Sequence, residues 1–267
     1  MKLLALLATA LFPILVGAQS VNLDGEKTTA EVRIGYLGSS LSDGRTGQIG
    51  TIDATLALPK GFNIEPIVNG GQYFGSDFGG GGLYVGAKDK DAYFRVGGLR
   101  NSVTQTTQIW MAEAEGGFVA VRGNRIKAIE TDFDYTRRGY DINPSFAVSQ
   151  YTFRGVFYFQ NEVELLVQGG VLNCSNNGHA NVRPSEGARL RIPVRKRLDF
   201  TAFAGFDTEG LTNTTQIASL STRNLGGGMR LWLNRMTSIE ALGYNSKYNN
   251  PNHLSSNTYG LSLVRRF

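Results

Sequence analysis

The side chains of this 267-residue chain that could do chemistry are mainly carboxylates and arginines set at alternate positions. Glu113 with Glu115, Glu130 with Asp132 and Arg189 with Arg191 are each separated by one residue. That spacing sends both members of a pair to the same side of a β-strand. Arg33, Arg95, Arg154 and Arg230 stand in the same alternation, flanked on both sides by apolar residues or glycine. Bond-making chemistry is weakly represented by comparison. His179 and His253 are the two histidines, and neither has a carboxylate or nucleophile at a catalytic spacing, although Ser175 and Ser185 are near His179. Neither a G-x-S-x-G elbow nor an H-E-x-x-H helix is written in the chain. The glycine run 79–82 leads into Leu83, Tyr84 and Val85, a strand-like segment, whereas a phosphate loop needs backbone amides aimed from a helix start. Catalytic, cofactor-binding and metal sites are therefore not expected.

The elements that position those charges read as strands throughout. Ala30, Val32, Ile34 and Tyr36 share one face with Glu31, Arg33 and Gly35 on the other, and this dyad pattern recurs along the chain. Strands are predicted at 29–36, 48–58, 62–72, 81–87, 92–99, 105–120, 125–135, 146–159, 162–172, 187–193, 198–206, 221–233, 237–246 and 257–267. The total is about 14, with 12 the alternative if weak strands merge. Short turns at 59–61, 88–91, 122–124, 160–161, 194–197 and 234–236 alternate with longer connections at 41–46, 73–80, 100–104, 137–145, 173–186, 207–220 and 247–256. Short turns on one rim and long loops on the other, with both termini on the short side, describe an up-and-down transmembrane antiparallel β-barrel. A soluble β-sandwich is the rival all-β architecture.

At the N-terminus, Lys2 is followed by an apolar run that ends at Val16-Gly17-Ala18, small residues before a cleavage point. Residues 1–18 read as a cleaved signal peptide and 19–267 as the barrel domain. The apolar run is shorter than the roughly 20 residues of a membrane-spanning helix. The net charge of +5 invites a nucleic-acid partner. The basic residues are scattered singly and the chain reads as exported, so none is expected. Cys174 is the single cysteine and reads as an inert loop thiol. The sequons at Asn173 and Asn213 matter only in a eukaryotic secretory pathway.

The last strand carries the most specific signal, since Tyr259, Leu261, Leu263 and Phe267 alternate with Gly260, Ser262, Val264 and Arg266. Here the chain resembles the outer-membrane β-barrel proteins of Gram-negative bacteria, a porin-like class whose terminal strand commonly ends in Phe. The resemblance implies a place in the cell outer membrane, surrounded by lipid bilayer and lipopolysaccharide. It also implies that the outer-membrane assembly machinery reads the segment that opens on Tyr259 and ends on Phe267. Arg265 departs from the pattern, at a cost of about 0 to 1 kcal/mol near an interface.

Turning the apolar face of each strand to lipid leaves a strongly charged inner face. Charges cannot face hydrocarbon, and a collapsed soluble core would have to pair every one of them. A barrel of about 14 strands has room for a hydrated lumen instead. The expected lining is Arg33, Arg95, Glu113, Glu115, Glu130, Asp132, Arg154, Arg189, Arg191 and Arg230, with acidic residues on one wall and Arg154, Arg189, Arg191 and Arg230 on another. The functional expectation is a passive diffusion channel for small hydrophilic or charged solutes, with no cofactor. The alternatives are a barrel closed by internal ion pairs whose loops bind a partner, and an outer-membrane hydrolase using His179 or His253.

Overall fold

The computed structural model describes residues 29–73, 76–102, 108–124, 126–140, 147–176, 179–213, 216–248 and 255–267. Residues 1–18, expected as a signal peptide, and His253 lie outside them. Fourteen strands close into one antiparallel barrel. In chain order they are β1 Ala30–Leu41, β2 Thr46–Ala57, β3 Phe62–Tyr73, β4 Ser76–Lys88, β5 Ala92–Asn101, β6 Gln108–Arg122, β7 Ile126–Tyr140, β8 Ala147–Phe159, β9 Glu164–Asn176, β10 His179–Arg195, β11 Leu198–Asn213, β12 Gln216–Asn234, β13 Thr237–Tyr248 and β14 Ser255–Arg266. Each strand pairs with its sequence neighbours, and β14 returns to β1. Closure leaves no edge strand with unpaired amides, which is the condition for a sheet to cross a bilayer.

The seam is fastened by the chain's own end. Glu31 faces Arg266 across the β1–β14 ladder. The Phe267 amide donates to the Ala30 carbonyl at 2.8 Å, and the Thr29 amide and hydroxyl donate to the Phe267 carbonyl at 2.9 and 2.8 Å. Arg265, the departure from the terminal pattern, lies 5.2 Å from the Phe267 ring centroid. A guanidinium over an aromatic face is an attractive arrangement that keeps the charge at the rim.

The outward parity is apolar over most of the strand length. Ile34, Ile52, Val68, Leu83, Phe94, Phe118, Phe153, Leu225 and Leu261 are all exposed on it. Cross-strand pairs such as Phe133 with Phe153, at 5.2 Å, and Tyr135 with Tyr151, at 4.8 Å, tile this surface. So large a continuous apolar exterior is stable only against lipid.

Tight turns close the rim that carries the termini. At the 3-10 turn Pro59–Gly61, Lys60 and Gly61 both take positive φ. A Cβ on Gly61 would strike the Lys88 carbonyl, so the turn requires glycine there. Register shifts at Val119/Val121, Pro193/Arg195 and Trp232/Asn234 sit near this rim, where bulges end a ladder and bend it.

The opposite rim corrects the sequence expectation. Segments 73–80, 173–186 and 207–220, expected as long loops, are mostly paired strand. Tyr73 pairs with Ser76, Asn176 with His179 and Asn213 with Gln216. Beyond the membrane both faces of a strand are polar, so the hydrophobic dyad vanishes while the backbone ladder continues. The glycine run 79–82 is correspondingly inside β4. Cys174, expected on a loop, is fully buried in β9.

Candidate functional site: the charged inner wall

Strand parity gathers the charges. On β5 and β6, Arg95 stands opposite Glu115, one step along the inward face from Gly97 opposite Glu113. On β7 and β8, Asp132 stands opposite Arg154, and Asp134 of β7 opposite Glu115 of β6. All ten expected lining residues lie on this inward parity, and so do Glu31, Glu65, Asp134, Glu164, Asp199, Glu240 and Arg266.

Two kinds of wall result. Across β3 to β8 the charges are packed tightly. Arg95, 5% exposed, reaches Glu65 at 3.2 Å, Glu113 at 2.6 Å and Glu115 at 3.0 Å. Arg154, 8% exposed, reaches Glu115 at 2.7 Å and Asp134 at 3.6 Å. Phenols complete the set. Tyr84 donates to Glu113 at 3.2 Å, Tyr93 to Glu115 at 3.2 Å and Tyr158 to Glu130 at 2.9 Å. Arg95 also stacks 4.7 Å from the Tyr84 ring centroid. Glycines opposite the large side chains make the space. A Cβ on Gly117 would strike the Asp132 carboxylate, and one on Gly97 would come 2.7 Å from the Tyr84 ring.

From β9 round through β14 to β1 and β2, the pairs are as close but more open to the lumen. Arg189 meets Glu164 at 2.6 Å, and Arg191 lies between Glu164 at 3.4 Å and Asp199 at 3.5 Å. Arg230 meets Glu240 at 2.6 Å, Arg33 meets the same carboxylate at 3.5 Å, and Arg266 meets Glu31 at 2.9 Å. Within these pairs the cation is generally the more exposed partner. The Arg191 side chain is 32% exposed against 9% for Glu164 and 12% for Asp199. Arg230 is 30% exposed against 20% for Glu240. At the terminal rim, the Trp232 ring lies 5.6 Å from the Arg230 guanidinium and 5.0 Å from that of Arg266.

This geometry revises the expectation of an acidic wall facing an arginine wall. Arg154 belongs to the acidic cluster and is consumed by it. The β10 and β12 arginines have carboxylates of their own beside them. Glu113, Glu115 and Asp134 bring oxygens within 4.8 Å of one another, a spacing that could hold a metal ion. Those oxygens are engaged by Arg95 and Arg154, so guanidinium already supplies the countercharge. His179 opens β10 opposite Asn176, and the Ser175 hydroxyl donates to the Ala147 carbonyl at 3.3 Å. Sequence reasoning did not single out the inward tyrosines or Trp232. Their place on the charged parity, with glycine two residues away at Tyr84, was the available signal.

The wall is thus a closed antiparallel cylinder with an apolar exterior and an ionic interior. That is the fold of an outer-membrane β-barrel. No protein-family model matches the chain, and no curated protein matches it in sequence. Solved barrels match it in shape. A deletion mutant of the monoaromatic hydrocarbon channel TodX superposes with a TM-score of 0.54 at 7% identity, over 90% of this chain and 91% of that one. The loop-deleted OmpT, an outer membrane protein of Vibrio cholerae, superposes with a TM-score of 0.52 at 8% identity, over 90% of this chain and 99% of that one. At such identities the likeness concerns the fold.

Proposed function

We propose that the protein is a passive outer-membrane diffusion channel that favours small anionic solutes. The observation that carries this reading is the greater lumenal exposure of Arg191 and Arg230 than of the carboxylates beside them. Guanidinium stays charged at every physiological pH and offers planar, bidentate donors to carboxylate and phosphate groups. Arg33, Arg189, Arg191 and Arg230 are the lining cations a passing anion meets. Glu113, Glu115, Glu130, Asp132, Arg95 and Arg154 form the supporting wall behind them. Selectivity in such a pore follows lining charge and width, and no bound cofactor enters. TodX, a monoaromatic hydrocarbon channel of similar shape, supports a conducting role for this architecture, though its apolar cargo differs from the one proposed here.

The reading includes export with removal of residues 1–18, and capture of the terminal strand from Tyr259 to Phe267 by the assembly machinery. Residues 19–267, refolded in detergent and placed in planar bilayers under a salt gradient, should give discrete current steps with an anion-selective reversal potential. A cation-selective reversal potential contradicts the proposal.

One observation favours a second reading. Inward residues of the hairpin-side half, Leu37, Leu41, Ile49, Leu172 and Tyr248, are buried. A lumen narrowed there would make the protein a closed barrel whose hairpins bind a partner. A folded, heat-modifiable barrel that stays electrically silent selects this alternative.

A further inference from the structure

On the outward face of β12 and β13, Arg223 and Lys247 are direct cross-strand partners, and both are exposed. Cβ atoms of such partners lie about 4.5 to 5.5 Å apart, and like charges directly opposite are destabilising. Among the described residues no carboxylate forms an ion pair with either. Other outward cations avoid this arrangement. Arg100 faces Gly81 and Trp110, and Arg137 faces Ala112 and Ser149.

The height of the pair is informative. Arg223 stands eleven residues up β12 from Asn234, and Lys247 stands ten residues up β13 from Thr237. At roughly 3.3 Å per residue and a tilt of roughly 40°, this places both about 25 to 28 Å above the short-turn rim. The apolar band of such a barrel is about 25 Å tall. The two cations therefore sit at the headgroup level of the far leaflet. Below them the surface is apolar, with Leu225 70% exposed two residues under Arg223, and Tyr259 57% exposed on β14. Level with Leu225, one step below Lys247, the Asn245 amide donates to the Asn257 side-chain oxygen at 2.8 Å, so polar groups border that apolar surface.

We propose that Arg223 and Lys247 form a docking site for a phosphorylated lipid of the outer leaflet. The phosphate bridges the two cations, and the acyl chains lie along Leu225 and Tyr259. An anion between the two like charges turns a repulsive pair into two charge-assisted contacts. The inference rests on the membrane-spanning fold and not on conduction.

The test uses folded, full-length barrel in detergent micelles with lipid A, dephosphorylated lipid A or phosphatidylglycerol added. Native mass spectrometry counts retained lipid, and thermal scans follow unfolding. Lys247→Glu is the decisive variant, because it converts the repulsive pair into an ion pair and so keeps the barrel folded. The parent should retain lipid A and melt higher with it, while Lys247→Glu should retain about tenfold less and gain no melting shift. Arg137→Ser, a lone cation removed elsewhere on the outward face, should behave as the parent. Retention of phosphatidylglycerol equal to that of lipid A keeps the phosphate site but assigns it to any anionic lipid. Equal retention of dephosphorylated lipid A, or an undiminished response of Lys247→Glu, overturns the proposal. A barrel that binds lipid yet passes no current contradicts the channel alone.

Discussion

The wall from β3 to β8 and the wall from β9 round to β2 use the same residue types for different ends. In the first, Arg95 and Arg154 are sealed among carboxylates and phenols, with hardly any guanidinium surface left. In the second, Arg189, Arg191 and Arg230 each keep a carboxylate at hand yet remain open to the lumen. The difference is one of desolvation. A buried charge must be matched by neighbours or it destabilises the fold, whereas a solvated one contributes little to stability and stays available to a solute.

The largest effect expected from this contrast is at Arg95. Arg95→Ala leaves Glu65, Glu113 and Glu115 without their shared cation, at a cost of about 3 to 5 kcal/mol. The heat-modifiable folded band should be largely lost on refolding. A barrel that folds with parental yield would show that the wall is wetter than its packing implies.

Gly117→Ala comes next, because the new methyl group meets the Asp132 carboxylate and lies 2.7 Å from the Tyr93 ring. Overpacking of this kind costs about 1 to 3 kcal/mol. It should lower the urea midpoint while leaving reversal potentials unchanged.

On the open wall the order of effects inverts. Replacing Arg189, Arg191 and Arg230 together by Gln should cost under about 1 kcal/mol per residue. It should also move the reversal potential toward cations, since Glu164 and Asp199 lose their arginine partners and Glu240 keeps Arg33 alone. An unchanged reversal potential in a conducting barrel would remove these arginines from the permeation path.

The smallest effect is at the short-turn rim, where Arg122 holds Asp91 at 2.6 Å. That hydrogen bond keeps the Asp91 carboxyl below its ordinary range. A depressed carboxyl contributes stability above its unfolded value and loses it as pH falls. Any difference between Asp91→Asn and the parent should thus be at its full size above about pH 4 and fade below that, as pH falls through the lowered value of Asp91. Thermal scans across that range are the measurement.

Several features could be read directly from residue order. The dyad of Ala30, Val32, Ile34 and Tyr36 against Glu31 and Arg33 is local, because successive side chains of any strand point to opposite faces. It yields the class, the strand number and the charged parity without any knowledge of neighbours. The terminal alternation that ends on Phe267 likewise marks the strand that closes the seam.

Partner choice around the cylinder was not legible in that way. Arg95 takes carboxylates from β3 and β6, and Arg154 takes them from β6 and β7, because strand register and long-reach side chains bring them level. Alternation alone put Arg154 with the other late arginines, since it gives a side chain's face but neither its height nor its bearing around the axis. The hairpins at Asn176 and Asn213 escaped for a related reason, as their ladders are held by backbone hydrogen bonds that leave no mark in side-chain hydropathy. Sequence by itself determined which residues face inward. Barrel closure, through register and height, decided which inward charges are neutralised in the wall and which are left to the lumen.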